Sequence, residues 1–175
     1  MNLTQYINKT DISGQIIDGL SRLVNDNKAA EILQTFDQWR VVINRRTTTR
    51  HGRCSYKNKE VELHVHLLGV GNEESRNQTL IHEISHVVVD LIWGYRNVRP
   101  HGKEWKHTMV AFGLQPNRCS SHESMNEFKM KKAKYIYACE KCEAKFPAMR
   151  KKKYEASRYK HNGCGGKLYL KQTLR

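Results

Sequence analysis

The chain has 175 residues, a formal charge of +14, 38% hydrophobic residues and a mean hydropathy of −0.75. That suits one ordinary domain plus a small appendage, with a real core under a large polar surface. No apolar run approaches the ~18 residues of a membrane span, residues 1–5 lack the pattern of a secretion signal, and the five cysteines are odd in number, which sets aside membrane-spanning and disulfide-stapled secreted proteins and favours a reducing, intracellular setting.

In chain order, residues 12–24 place Ile12, Ile16, Leu20 and Leu23 on one helical face, with Ser13 as a candidate N-cap. Asp26 or Asn27 is the candidate cap of a second helix that turns Ala29, Ile32, Leu33 and Phe36 inward. Val41, Val42 and Ile43 suit a buried strand, and residues 45–52 read as a loop. Residues 52–56 and 60–68 read as two strands joined by a turn at 57–59. In the second of these, Val61, Leu63, Val65 and Leu67 alternate with Glu62, His64 and His66, so both histidines are expected on a solvated or groove-lining face. Cys54 is expected as a small buried residue.

The next stretch, residues 79–93, organises the chain. Leu80, Ile84, Val87, Val88 and Leu91 recur at helical spacing, and His82-Glu83-x-x-His86 lies among them. Two histidines four apart stack on one helix face and can reach one zinc ion, while Glu83 beside them can accept a proton from the attacking water. Glu73, Glu74 and Ser75 open the helix, where acidic groups suit its positive end, and Gly94 should close it. A second helix starts near residues 101–105, turns Trp105, Met109 and Phe112 inward and ends at Gly113. A catalytic zinc needs a third protein ligand and an open position. His101 leads for that role, because Gly102 permits close approach, with Glu104 and His107 as competitors. Residues 122–134 read as a polar helix leading into the tail.

Charge is unevenly placed. Residues 129–175 hold 15 Lys+Arg against 3 Asp+Glu, a balance of +12, whereas residues 1–128 carry +2. Such asymmetry points to a polyanion, nucleic acid before membrane surface. Within the tail, Cys139-x-x-Cys142 and His161-x-x-Cys164 are separated by 18 residues and read as a structural zinc site. A metal would also explain how so short a segment folds. Aromatics alternate with cations there, Tyr137 among Lys131, Lys132, Lys134, Arg150, Lys151, Lys152 and Lys153, a composition that tracks phosphates and stacks unpaired bases. Phe146 and Tyr169 are expected instead to pack the module's own small core. Cys119 has no assigned role.

Taken together, the string His82-Glu83-x-x-His86, His101-Gly102-x-x-Trp105, Gly113-Leu114 and the cysteine-rich tail resembles the SprT-like metalloproteases, those of the Spartan type most closely. The likeness runs from about Val41 to Gly166. It implies an α+β fold: a zincin-like protease domain over 1–128, with helices packed on a small sheet, and a basic zinc-ribbon-like module over 129–175 that binds DNA. It further implies His82, His86 and His101 as ligands of a catalytic zinc, Glu83 as the base, and a second, structural zinc in the tail. The implied activity is DNA-dependent cleavage of DNA-bound or DNA-crosslinked proteins, by a monomer that associates with single-stranded or junction-containing DNA and with no membrane. The chain ends without the long extension that carries partner-binding motifs in Spartan, and Ile136 stands where Spartan has a further aromatic. Two other readings compete: a DNA-binding zinc module with an inactive protease half, and a regulatory zinc protease acting on one specific repressor.

Overall fold

The computed structural model describes residues 1–46, 50–117, 133–152 and 158–174. The chain divides into two compact units, Met1–Ser121 and His122–Arg175. The boundary expected at 128/129 and nearly all of the helix expected over 122–134 lie outside the described residues, as does Cys119. Helices and small sheets coexist, so the fold is α+β, and no described helix is long and apolar enough to cross a membrane.

The first unit opens with a short helix that the hydrophobic pattern did not disclose, α1 (Leu3–Ile7). Asn2 and Gln5 close it with a reciprocal capping box, and its Leu3 and Ile7 are buried. Helix α2 (Ser13–Leu23) buries Ile16 and Leu20 as expected, but Ser13 is its first helical residue and caps nothing. Helix α3 (Asp26–Thr35) is capped by Asn25, whose side chain accepts the Lys28 N–H, and not by Asp26 or Asn27. A 3₁₀ turn, Phe36–Gln38, then delivers Phe36 and Trp39 to the core, 1% and 2% exposed.

Three strands follow: β1 (Arg40–Asn44), β2 (Gly52–Ser55) and β3 (Glu60–His64), in the spatial order β1-β3-β2. β1 runs parallel to β3, pairing Val41 with Val61 and Ile43 with Leu63, while β2 runs antiparallel to it, pairing Cys54 with Val61. The last strand in sequence is thus the central one, and β1 is an edge, half-buried where burial was expected. β3 also stops earlier than its alternation suggests, because Val65–Leu68 winds into a 3₁₀ turn. The expectation for its histidines is corrected accordingly. His64 is fully buried, its N–H donating to the His51 carbonyl at 2.7 Å, and His66 has left the strand and packs between the rings of His51 and His64. Burial first, then His51 and His64, pushes the His66 pKa down to about 4.

Helix α4 (Glu73–Trp93) is the spine of this unit. It starts with Glu73 and Glu74 and ends at Gly94, and it buries Leu80, Ile81, Ile84, Val87, Val88 and Val89 against the sheet and α5 (Lys103–Ala111). Each such aliphatic side chain contributes about 1.5–3 kcal/mol on burial, so the functional groups on α4 ride on the best-anchored element of the fold. Trp105, Met109 and Phe112 face inward as expected.

The second unit is a three-stranded antiparallel sheet of β4 (Tyr135–Cys139), β5 (Lys145–Ala148) and β6 (Leu168–Thr173), with β4 in the middle. Pairing on both edges buries Ile136, Tyr137, Ala138 and Cys139. Phe146 packs edge-on against the His161 ring, with centroids 5.0 Å apart, in keeping with a structural role. Tyr169 does not share it, being 44% exposed.

Candidate metal centres and their surroundings

Helix α4 places His82 and His86 one turn apart, and the connection to α5 returns the chain so that His101 meets them. The Nε2 atom of His101 lies 3.1 Å from that of His82 and 3.1 Å from that of His86. In a tetrahedral zinc site with Zn–N bonds of about 2.0–2.1 Å, two ligand nitrogens sit roughly 3.3 Å apart, so the three imidazoles fit one ion. His101 achieves this with a positive φ of 56°, a left-handed residue that reverses the chain just before Gly102 caps α5. The competitors do not join: the described residues whose ligand atoms converge here are His82, His86 and His101, not Glu104 or His107.

The surroundings keep His82 and His86 neutral, as a metal ligand must be. Burial, then His101, pushes the His82 pKa down to about 4; burial, then His82 and His101, pushes that of His86 to about 3. Beneath them lies Trp105, 1% exposed, with its ring centroid 4.8 Å from His82, 5.7 Å from His86 and 4.6 Å from His101. Its indole N–H donates to the His82 carbonyl at 3.5 Å. The tryptophan of the H-G-x-x-W string is therefore the floor of the histidine cluster, a role that spacing alone does not reveal.

Glu83 is 6% exposed and turns toward β2, where the Cys54 backbone N–H stabilises its carboxylate form. Burial pushes its pKa up to about 8, against the pull of that N–H and of Arg50, with Glu62 adding to the rise. A carboxyl tuned upward beside a ligand cluster suits proton transfer near neutral pH. Gly52 makes room for it: a Cβ there would sit 2.7 Å from Glu83 Oε1 and 2.8 Å from the Thr79 methyl. Cys54 is half-buried, with its thiol pushed up by burial first and then by Glu83 and Asp90.

In the second unit, Cys139, Cys142, His161 and Cys164 converge. Sγ of Cys139 lies 3.4 Å from Sγ of Cys164, and His161 Nδ1 lies 3.2 Å from the sulfurs of Cys142 and Cys164. The four candidate ligand atoms lie within 4.8 Å of one another, a donor set that could close around one metal ion. Desolvation pushes the Cys139 thiol up, but hydrogen bonds from the Cys142 and Lys141 backbones and from the Cys164 and Cys142 thiols together outweigh it and bring the pKa down to about 6, which favours the thiolate a metal requires. Gly166 is needed for closure, since a Cβ there would meet Cys139 Sγ at 2.5 Å.

Among the expected nucleic-acid contacts, Lys134, Arg150, Lys151 and Lys152 are exposed, while Lys131, Lys132 and Lys153 lie outside the described residues. Tyr137 is a correction. Its ring is 3% exposed and its hydroxyl accepts the Lys152 N–H at 2.9 Å, because β4 is the central strand. It offers no face to a base. Among the described residues of this unit the exposed tyrosine rings are Tyr159 and Tyr169, and the Lys152 ammonium lies 4.2 Å from the Tyr159 centroid. Exposed tyrosines among cations, where the sequence reading had placed a core residue, are thus a feature of the folded unit.

Comparison with known proteins agrees with the motif. The SprT-like family matches residues 15–135, a span that holds His82, Glu83, His86 and His101. A "Protein SprT-like" of Staphylococcus aureus is 28% identical over 157 residues, 89% of this chain and 97% of that protein. A "Protein SprT" of Pseudomonas fluorescens is 33% identical over 107 residues, 58% of each chain. With more than half of its length matched in this way, the chain belongs to the SprT-like family.

Proposed function

We propose that the chain is a DNA-dependent zinc metalloendopeptidase of the Spartan type, which cleaves proteins bound or crosslinked to DNA and so serves DNA–protein crosslink repair. The observation that carries the reading is the convergence of His82, His86 and His101 next to a buried Glu83. On this reading the first unit is a zincin-like protease domain and the second a zinc-ribbon-like module. His82, His86 and His101 hold the catalytic zinc, and Cys139, Cys142, His161 and Cys164 hold a structural one, two ions per chain.

His82, His86 and His101 would hold a zinc ion, which when bound would supply Lewis acidity for a water nucleophile and for the scissile carbonyl. Glu83 takes the water's proton and returns it to the departing amide nitrogen. The Cys54 N–H orients the Glu83 carboxylate, and Trp105 fixes the histidine rings from below. β2 is the outer strand of its sheet on the Glu83 side, so an extended peptide laid along it passes the base. Zinc binding alone needs no carboxylate at position 83, which disfavours an inactive protease half.

The tail supplies the address. Its +12 falls only to about +11 after three thiolates and one zinc ion are counted, and its exposed Lys134, Arg150, Lys151, Lys152, Tyr159 and Tyr169 suit phosphates and unpaired bases. DNA then gathers a monomeric enzyme and its DNA-bound substrates inside the cell. The test is cleavage of a DNA-binding protein by the zinc-loaded chain with and without single-stranded DNA, at 50 and 200 mM salt. DNA should accelerate cleavage, and six phosphate contacts would make the stimulation fall by roughly 10³-fold in affinity across that salt range. Equal rates with and without DNA would reject the coupling, and cleavage confined to one repressor sequence would favour a regulatory protease.

A further inference from the structure

Beside the histidine cluster lies a pocket of about 580 Å³ lined by Arg99, Pro100, His101, Trp105, Lys106 and Pro116. His101 and Trp105 belong to both the cluster and the pocket, so the pocket adjoins the reacting centre. A tight turn binds the two together: the Gly102 N–H donates to the Arg99 carbonyl at 2.9 Å, and a Cβ at Gly102 would lie 2.8 Å from that oxygen. Lys106 and Trp105 come from the first turn of α5. The walls are two proline rings and an indole whose N–H is already directed at the His82 carbonyl. Among the described residues no acidic side chain lines the pocket, although Glu104 borders the same turn, its Oε2 lying 3.3 Å from where a Cβ at Gly102 would stand; the charged lining groups are the guanidinium of Arg99 and the ammonium of Lys106, which only donate hydrogen bonds.

We infer that this pocket is a substrate subsite for an acidic side chain, so that the peptidase prefers Asp or Glu at one fixed position beside the scissile bond. The inference rests on the peptidase reading above. A carboxylate on a short apolar stem matches a pocket with cationic donors and apolar walls, and a guanidinium can take that carboxylate through two parallel hydrogen bonds. A lysine or arginine side chain would meet like charge there. A DNA phosphate is the competing anion. Residues 1–128 carry a balance of only +2 against +12 in residues 129–175, which places the polyanion field in the tail and leaves the pocket to the substrate.

The experiment is to digest a defined mixture of unstructured peptides with the full zinc-loaded chain in the presence of single-stranded DNA, and to map every cut by mass spectrometry. Asp and Glu should be enriched about fivefold at one position within two residues of the cut, the yield of an exposed charge pair worth about 1 kcal/mol. The R99E/K106E double variant should exchange that enrichment for Lys and Arg at the same position. Its zinc content and melting temperature, measured alongside, separate a changed subsite from a damaged fold, and R99Q/K106Q should erase the preference without reversing it. Cuts with no acidic enrichment, or an enrichment that charge reversal leaves in place, would overturn the inference while sparing the peptidase reading. No cut in any peptide would contradict the peptidase reading itself and remove this subsite with it. A double variant that loses affinity for DNA yet keeps its acidic preference would assign the pocket to phosphate and overturn the inference too.

Discussion

Gly52→Ala isolates the placement of Glu83 from the metal ligands. Replacing a strand glycine by alanine ordinarily stabilises a protein by about 0.4–1 kcal/mol, because the unfolded chain loses freedom. Here the added Cβ would lie 2.7 Å from Glu83 Oε1, 2.9 Å from its Cγ and 2.8 Å from Cγ2 of Thr79. Non-bonded carbons prefer about 3.5–4.0 Å, so something must yield by roughly 0.7–1.2 Å. The Thr79 methyl has little freedom, since the residue is 5% exposed and its hydroxyl donates to the Ser75 carbonyl at 2.7 Å. Either Glu83 swings off the Cys54 N–H or α4 lifts from β2. Overpacking of this kind costs about 1–3 kcal/mol, and a displacement near 1 Å at a reacting group costs about 10²-fold in rate. None of the three atoms nearest that Cβ belongs to His82, His86 or His101, so zinc should stay. The assay pairs elemental analysis and a thermal melt with cleavage of a DNA-bound protein. A G52A protein that cleaves at the parent rate, or one that loses its zinc, would refute the argument that β2 positions Glu83.

Other outcomes follow from the same geometry. His101→Ala should weaken zinc binding at the histidine cluster by more than the ~10–100-fold typical of losing a supporting contact, while Glu104→Ala and His107→Ala should leave it unchanged. A loss with E104A but not H101A, read by competition with a chelator, would name a different third ligand. Cys139→Ser should lower the zinc content from two ions per chain to one and unfold the second unit. Unchanged zinc would dismiss the tail site. In the metal-free protein, the depressed pKa values of His82 and His86 make stability fall as pH drops from about 6.5 toward 3–4. The raised pKa of Glu83 makes it fall as pH climbs from its ordinary carboxyl value through about 8. Above pH ~6.5 both histidines are neutral in either state, so the parent's melting temperature should decline toward pH 8 and that of E83Q should not. Parallel declines would remove Glu83 as the cause.

How much of this was legible in the sequence varies with the physics involved. Helical spacing located α4, and the H-E-x-x-H motif located two of the three converging histidines, because both depend on neighbours within one turn. The third histidine was favoured over Glu104 and His107 by the neighbouring Gly102, and it is His101 that converges on the other two; the left-handed backbone that delivers it is what no pattern encodes. Strand alternation failed at His64 and His66. It names faces but not pairing order, and the spatial order β1-β3-β2 buried the end of β3 before the chain coiled at Val65. Tyr137 failed for the same reason in the other unit, where flanking by β5 and β6 turned an aromatic among cations into a core residue and left Tyr159 and Tyr169 outside. The four converging tail residues were legible because metal-ligand spacing is local at each knuckle. The pocket at Arg99 and Lys106 was not, since it depends on the turn that brings residues 99–101 against the start of α5.

The proposed role of Glu83 is that of the base at a zinc site made by His82, His86 and His101. It is tested most directly by the rate at which zinc-loaded parent and Glu83→Gln proteins, matched in metal content, cleave the same DNA-bound protein. The amide, unable to take the water's proton, should slow cleavage by about 10²–10⁴-fold while both zinc ions remain. A Glu83→Gln protein that cleaves within a factor of about two of the parent, a gap far below that of a lost base, would contradict it.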